Sequence, residues 1–300
     1  MSTTNVTTDT PTPTDLTEFE VFGVCFFSTA TAFCLLHFRI LWVLSANGLY
    51  RSRECYRLLT QATIAQVLTG PGYMLLGLSR LFSFEPWRLP INLFISATRV
   101  EVFLTFVLAL NRLKIIADLK YPNFMHTILA ALGWIIGCTH FIVFVSPCCK
   151  YLARPFHYTI TFDDSYPGSL LMKSIGSAYL LSMNALTLSV YLVFVAYIIN
   201  LKLHSQPNTT SSSLARLWRE RSILLYAFVR FLCDSTLTVF YYYGAPVLPT
   251  FLWIEIPLIY LHQIDKLLLP PLLFLMMCRS VRNEVFPFLK PRAKVVAVIV

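Results

Sequence analysis

Apolar residues fill this chain in seven long blocks, and short basic or proline-rich segments separate them. The blocks cover roughly 21–44, 58–82, 91–113, 126–146, 169–200, 222–243 and 251–278. Leu58–Ser79, Thr127–Pro147 and Ser174–Leu201 hold no Asp, Glu, Lys or Arg. Such lengths are too great for buried strands. Helices of a soluble core would carry a polar face at 3.6-residue spacing, which these blocks lack. A bilayer core about 30 Å thick is crossed by roughly 20 apolar residues. Lipid offers open backbone groups no partner, so the blocks must be helical. The pattern predicts an all-α membrane protein, a bundle of seven transmembrane helices over 21–278. A tail over 1–20 and a short basic tail over 279–300 flank it.

Composition agrees: 56% of residues are hydrophobic and 13% charged, against about 25% charged in a soluble domain. The basic residues are unevenly placed. One set of inter-block loops holds Arg80, Arg88, Lys150 and Arg154; the other set and the tail hold fifteen Lys and Arg. By the positive-inside rule the N-terminus is expected outside and the C-terminus in the cytoplasm. The net charge of +9 then reflects topology and attraction to anionic inner-leaflet lipid, not nucleic acid. The Thr-rich first twenty residues read as disordered and lack the basic start of a cleavable signal, so the first block is expected to direct its own insertion. Asn5-Val6-Thr7 is a glycosylation sequon on the expected outer side; Asn208-Thr209-Thr210 falls on the inner side and is expected to stay unmodified. The second outer loop carries Cys148 and Cys149, and adjacent cysteines rarely pair.

Charged side chains at membrane depth cost about 2.5–3.5 kcal/mol on insertion scales, which makes each a functional candidate. The third block carries Arg99 and Glu101, the sixth Arg230 and Asp234, and the seventh Glu255, His262, Asp265 and Lys266. Arg230 and Asp234 lie four apart, on one helix face, and can neutralise each other. Arg99 and Glu101 point to different sides and need partners on other helices; Arg230 for Glu101, or Glu255 for Arg99, are two of the possibilities. The other reading is a ligand cavity in the outer half, lined by Arg99, Glu101, Asp234 and Glu255, with Tyr241, Tyr242, Tyr243 and Trp253 near its mouth. Those aromatics fit an interfacial belt equally well. No Gly-rich phosphate loop, Gly-x-Ser-x-Gly elbow or His-x-x-x-His pair occurs, so no enzyme activity is expected. The histidines and cysteines share no ligand spacing, so no metal or cofactor is expected either.

Local motifs add a resemblance. The third block ends Ala109-Leu110-Asn111-Arg112-Leu113, followed by Leu119-Lys120-Tyr121-Pro122. Pro270-Pro271-Leu272-Leu273-Phe274 lies at the inner end of the seventh, Trp134 in the fourth, and Arg279-Ser280-Val281-Arg282 just past the bundle. Over residues 20–290 the chain resembles a G-protein-coupled receptor, distantly rhodopsin-like and closer to nematode serpentine chemoreceptors. The resemblance implies that Asn111 and Arg112 stand where rhodopsin-like receptors keep Asp-Arg-Tyr. It makes Pro270, Pro271 and Phe274 a degenerate Asn-Pro-x-x-Tyr, and Arg279 the start of a short surface helix. It departs from the pattern in several places. No cysteine stands near Trp87 at the outer end of the third block. The second block offers Gln61 and Gln66 but no aspartate, the sixth shows Cys233-Asp234-Ser235-Thr236 without a Cys-Trp-x-Pro switch, and the fifth has no proline. A retinal-type site at Lys266 is not supported.

The resemblance implies an extracellular small-molecule or peptide ligand, a cytoplasmic heterotrimeric G protein as partner, and a place in the cell membrane (sensory cilia if chemosensory). Arg112, the basic stretch Arg216–Arg221 and the tail from Arg279 would face the G protein. Two rivals stay open: a transporter or channel using the buried charges, and a receptor-like protein that no longer signals. The absence of half-to-half similarity weighs against the first; the missing motifs keep the second alive.

Overall fold

The computed structural model describes residues 13–122, 124–152, 160–163, 165–204, 229, 231–240 and 252–289. The first helix, α1, is Pro13–Ala46, and its 34 residues extend about 50 Å at 1.5 Å per residue, longer than lipid requires. Its described part starts at Pro13, inside the stretch that composition marks as disordered. A short helix α2, Gly48–Arg51, is capped by the Asn47 side chain. Then come α3 (Glu54–Leu81), α4 (Arg88–Ile116), α5 (Phe124–Val145) and α6 (Pro167–His204). Residues 231–239 form α7, the described part of the sixth block. The seventh block is α8 (Leu252–Gln263), a π-helical segment Ile264–Leu268 and α9 (Leu269–Met277). The chain continues into α10, Arg279–Val285, where the resemblance implies a short helix.

Five described helices are long and apolar enough to cross a membrane: Phe19–Ala46, Arg88–Ile116, Phe124–Val145, Pro167–Tyr197 and Glu255–Met276. The 28 residues of α3 match a span in length, but Thr60, Gln61, Thr63, Gln66, Thr69 and Arg80 make it more polar. Burial explains how that is tolerated: Thr63, Gln66, Thr69 and Arg80 are all buried in the bundle. The most apolar stretch of α4 is 72% buried, that of α5 only 22%, so α4 is the central helix and α5 a lipid-facing one. Between α5 and α6 a small antiparallel hairpin pairs Tyr151 with Phe162 and Leu152 with Thr161. Its Tyr151 ring meets Phe144 of α5 edge to face, centroids 5.0 Å apart, which seats the hairpin over that end of the bundle.

Backbones of α1 and α3 meet where side chains are missing. A Cβ on Gly77 would lie 2.8 Å from the backbone nitrogen of Phe27, and one on Gly23 2.7 Å from that of Leu81. Small residues at such crossings are how membrane helices gain contact without a hydrophobic driving force. Around them Phe22, Phe26, Tyr73 and Phe94 form one aromatic cluster that spans α1, α3 and α4.

The seventh span changes register where the sequence dictates. Pro270 and Pro271 occupy the first turn of α9, and proline has no N–H to give the carbonyl four residues back. For Pro271 that carbonyl is Leu267, and the buried His37 of α1 takes it instead, Nε2 donating at 2.8 Å. Polar ties from α1 continue upward: Gln263 Nε2 donates to the Phe26 carbonyl at 3.1 Å, and Thr29 Oγ1 to Gln263 Oε1 at 3.3 Å. π-helical turns are rare, and they recur at functional sites.

Candidate functional site

Helix α4 runs through the bundle centre and places Glu101 where α3, α7 and the π segment converge. Glu101 is 1% exposed, Asp265 3% and Lys266 4%. The Lys266 ammonium pairs with Asp234 of α7, lies 3.3 Å from Asp265 and 3.6 Å from Glu101. On the other side Gln66 of α3 donates to Glu101 Oε1 at 3.2 Å. Four spans are thereby joined through one buried ionic cluster. Charges at this depth persist only when paired, and among the described residues the Lys266–Asp234 and Lys266–Glu101 pairs both cross between helices.

One turn toward the hairpin end, a cavity of about 90 Å³ opens above the cluster. Tyr73 and Leu76 of α3, with Phe94, Thr98 and Arg99 of α4, form one wall; Leu180 of α6 and Leu237 and Thr238 of α7 form another. The remaining wall is Leu258, Ile259 and His262 of α8, with Tyr151 and Ile160 of the hairpin as part of the lining. Tyr73 and His262 form its floor, their hydroxyl and Nδ1 being 2.7 Å apart. The hydroxyls of the wall are occupied: Thr98 donates to the Phe94 carbonyl at 2.9 Å and Thr238 to that of Asp234 at 2.6 Å. Arg99, 3% exposed, is the charged residue among the described lining, and Tyr179 of α6 donates to its carbonyl at 3.1 Å.

A second polar network lies at the opposite end. Asn111 is fully buried and its Nδ2 donates to Glu54 Oε2 at 3.2 Å. Glu54 Oε1 meets His126 Nδ1 at 3.0 Å, and His126 Nε2 meets the Tyr121 hydroxyl at 2.9 Å. The ring of Tyr121 also carries the Lys114 ammonium, 4.5 Å above its centre. Burial, then the Glu54 charge, push the Tyr121 phenol above its ordinary pKa, so it remains a protonated donor. Arg112 is partly buried beside this network. The tail closes the same end: Glu284 of α10 accepts from Tyr50 at 3.0 Å and Asn47 at 3.4 Å, and its carbonyl accepts from Arg39 at 3.4 Å.

Of the residues singled out from sequence, Glu101, Asp234, Asp265 and Lys266 come together, and Arg99 lines the cavity above them. Glu101 takes Gln66 and Lys266 as described partners, and Asp234 takes Lys266. Glu255 is partly exposed and is not among the described lining. Pro270 and Pro271 are buried at the register change, and Phe274 packs with Leu275, Val281 and Val285 where α9 and α10 meet α1. Asn5, Arg230, Tyr241, Tyr242 and Tyr243 lie outside the described residues, as do the side chains of Trp253 and Arg279. Sequence reasoning passed over Tyr73, His37, Glu54 and His126. The available signal was a histidine or tyrosine at membrane depth, which needs a polar partner as surely as a carboxylate does.

The crystal structure of squid rhodopsin superposes with a TM-score of 0.70 at 10% sequence identity, covering 91% of this chain and 86% of that one. No protein-family model matches the sequence. No curated protein matches it either. The structural likeness gives the fold: a rhodopsin-like seven-helix bundle in a multi-pass membrane protein.

Proposed function

We propose that this bundle is a cell-membrane receptor with its N-terminus outside. It takes an external small molecule in the cavity under the hairpin and signals through a heterotrimeric G protein at the Asn111 end. The carrying observation is the stacking of the two features: the cavity floor, Tyr73 and His262, rests directly over the ionic cluster that joins α3, α4, α7 and the seventh span. A ligand that binds one arrangement of these helices better than another shifts their populations by that difference in affinity. The cluster and the register change at Pro270 and Pro271 are where two such arrangements would differ. Asn111 and Arg112, at the far end of α4, would carry the change to the G protein, and Arg279 and the basic tail would add charge for that partner.

A chemosensory role of the nematode serpentine kind fits the Asn-Arg ending of α4 and the loss of the usual switch motifs. It accounts for a receptor that keeps the architecture while replacing the internal polar residues. The test is a small-molecule panel against the chain in a G-protein reporter cell, with ion current and uptake recorded in parallel. Activation that disappears in Arg112→Ala at equal surface expression is the expected result. Uptake or current without G-protein activation would assign the cavity to transport instead.

A further inference from the structure

We propose that the groove between α1 and α10 seats one membrane phospholipid by a phosphoethanolamine headgroup, with Arg39 taking the phosphate and Glu284 the ammonium. The inference goes beyond the receptor reading and does not depend on it. It requires that this end of the apolar span Phe19–Ala46 stands in lipid. The groove is open and holds about 510 Å³; Arg39, Trp42 and Ala46 of α1, Asn47, and Asn283 and Glu284 of α10 are part of its lining. That size falls among ligand clefts, which run from about 300 to 1,000 Å³. Arg39 is exposed, and its guanidinium donates to the Glu284 carbonyl at 3.4 Å. The Glu284 carboxylate meets two neutral donors: Oε1 accepts from Tyr50 at 3.0 Å and Asn47 at 3.4 Å, Oε2 from Asn47 at 3.5 Å. A carboxylate offers about four acceptor positions, so Oε2 has room for a further donor. Among the described residues neither charge has an ionic partner within 4.0 Å, although both face one groove.

The order of groups along α1 matches the order of groups in such a lipid. Leu35, Phe38 and Trp42 are exposed and recur three and four apart, which makes one apolar stripe for acyl chains. Arg39 stands beside that stripe, and a guanidinium fork suits a phosphate. Asn47, which meets the Glu284 carboxylate, lies eight residues further along, about 12 Å nearer the helix end. Chains, phosphate and amine therefore meet apolar, basic and acidic groups in turn. The two charges sum to zero, as they do in the headgroup. A choline headgroup has no N–H to donate to Glu284, and a glycerol headgroup brings no cation for it. Trp42 alone would mark the headgroup level of any membrane helix; the opposed charges are what select among headgroups.

Lipids with identical dioleoyl chains test the assignment: phosphatidylethanolamine, its N-methyl and N,N-dimethyl forms, phosphatidylcholine and phosphatidylglycerol. Each is titrated into the full chain in detergent, and native mass spectrometry gives the apparent Kd of the first lipid bound. Phosphatidylethanolamine is expected to bind tightest. Affinity should fall as methyl groups replace the N–H donors, reaching about 10-fold or more for phosphatidylcholine, the loss of a hydrogen bond to a charged group. Phosphatidylglycerol should be weaker by a similar factor. Glu284→Gln can still accept from Tyr50, and it should bind the ethanolamine and choline lipids equally. Arg39→Gln should weaken every lipid of the set. Ala46→Trp, which fills the groove and leaves both charges in place, should weaken phosphatidylethanolamine as well. If Glu284→Gln does not fold, the methylation series on the natural chain still decides. Phosphatidylcholine binding as tightly as phosphatidylethanolamine, phosphatidylglycerol binding tightest, or an ethanolamine preference that survives Glu284→Gln overturns the proposal.

Discussion

Lys266 carries an ammonium where the surroundings offer almost no water, and three carboxylates are what hold it there. Removing one member of such a buried set costs about 3–5 kcal/mol, because the charge left behind has lost its compensation. Lys266→Met is therefore expected to lower the thermal unfolding midpoint in detergent sharply and to reduce surface expression. Adding Asp234→Leu to it should recover part of the loss. An unfolding midpoint unchanged in the single variant would show that the pairing contributes nothing. Charge at depth was readable in the sequence for Glu101, Asp234 and Lys266, since an apolar block has no other use for such residues. Their pairing was not, because it joins Lys266 to Asp234, 32 residues away, and to Glu101, 165 residues away, on different helices, and a linear pattern contains no information about which helix faces which. Glu54 was harder still: between Arg53 and Arg57 it reads as an ordinary solvated acid, while the fold turns it toward Asn111 and His126.

Among elements, the seventh span shows a local sequence rule acting on a distant helix. Two consecutive prolines withdraw backbone donors, the turn before them opens to π register, and the Leu267 carbonyl is served from α1 by His37. Helix positions were legible because each block is long and apolar. The register change was foreshadowed by Pro270 and Pro271, but the sequence does not say that His37, one histidine among six, is the residue that meets the freed carbonyl. His37→Leu keeps the volume and removes the donor, leaving the carbonyl in an apolar setting. The expected cost is about 1–3 kcal/mol, seen as a lower unfolding midpoint, with His37→Gln milder because an amide can still donate. Indistinguishable midpoints for Leu and Gln would mean that the contact is not what holds α1 to the seventh span.

For the molecule as a whole, the fold and the membrane setting follow from hydropathy alone, whereas the direction of insertion rests on fifteen basic residues against four. That asymmetry makes a direct prediction. Expressed in a cell that glycosylates, the chain should lose mass on Asn5→Gln and keep it on Asn208→Gln; the opposite pattern on a denaturing gel would invert the bundle. The docked tail has a consequence of its own. Glu284 grips Asn47 and Tyr50, and Val281 and Val285 bury against Ile40 and Leu44. Burial first, and then the Glu284 carboxylate, raise the Tyr50 phenol above its ordinary pKa, so it stays a protonated donor as the pH rises through the cellular range. The terminal helix is consequently cargo of the first transmembrane segment, although the seventh delivers it. A fluorophore fused past Leu289 would register displacements of α1 and stay blind to bending at Pro270, so a silent tail sensor would not mean a motionless bundle.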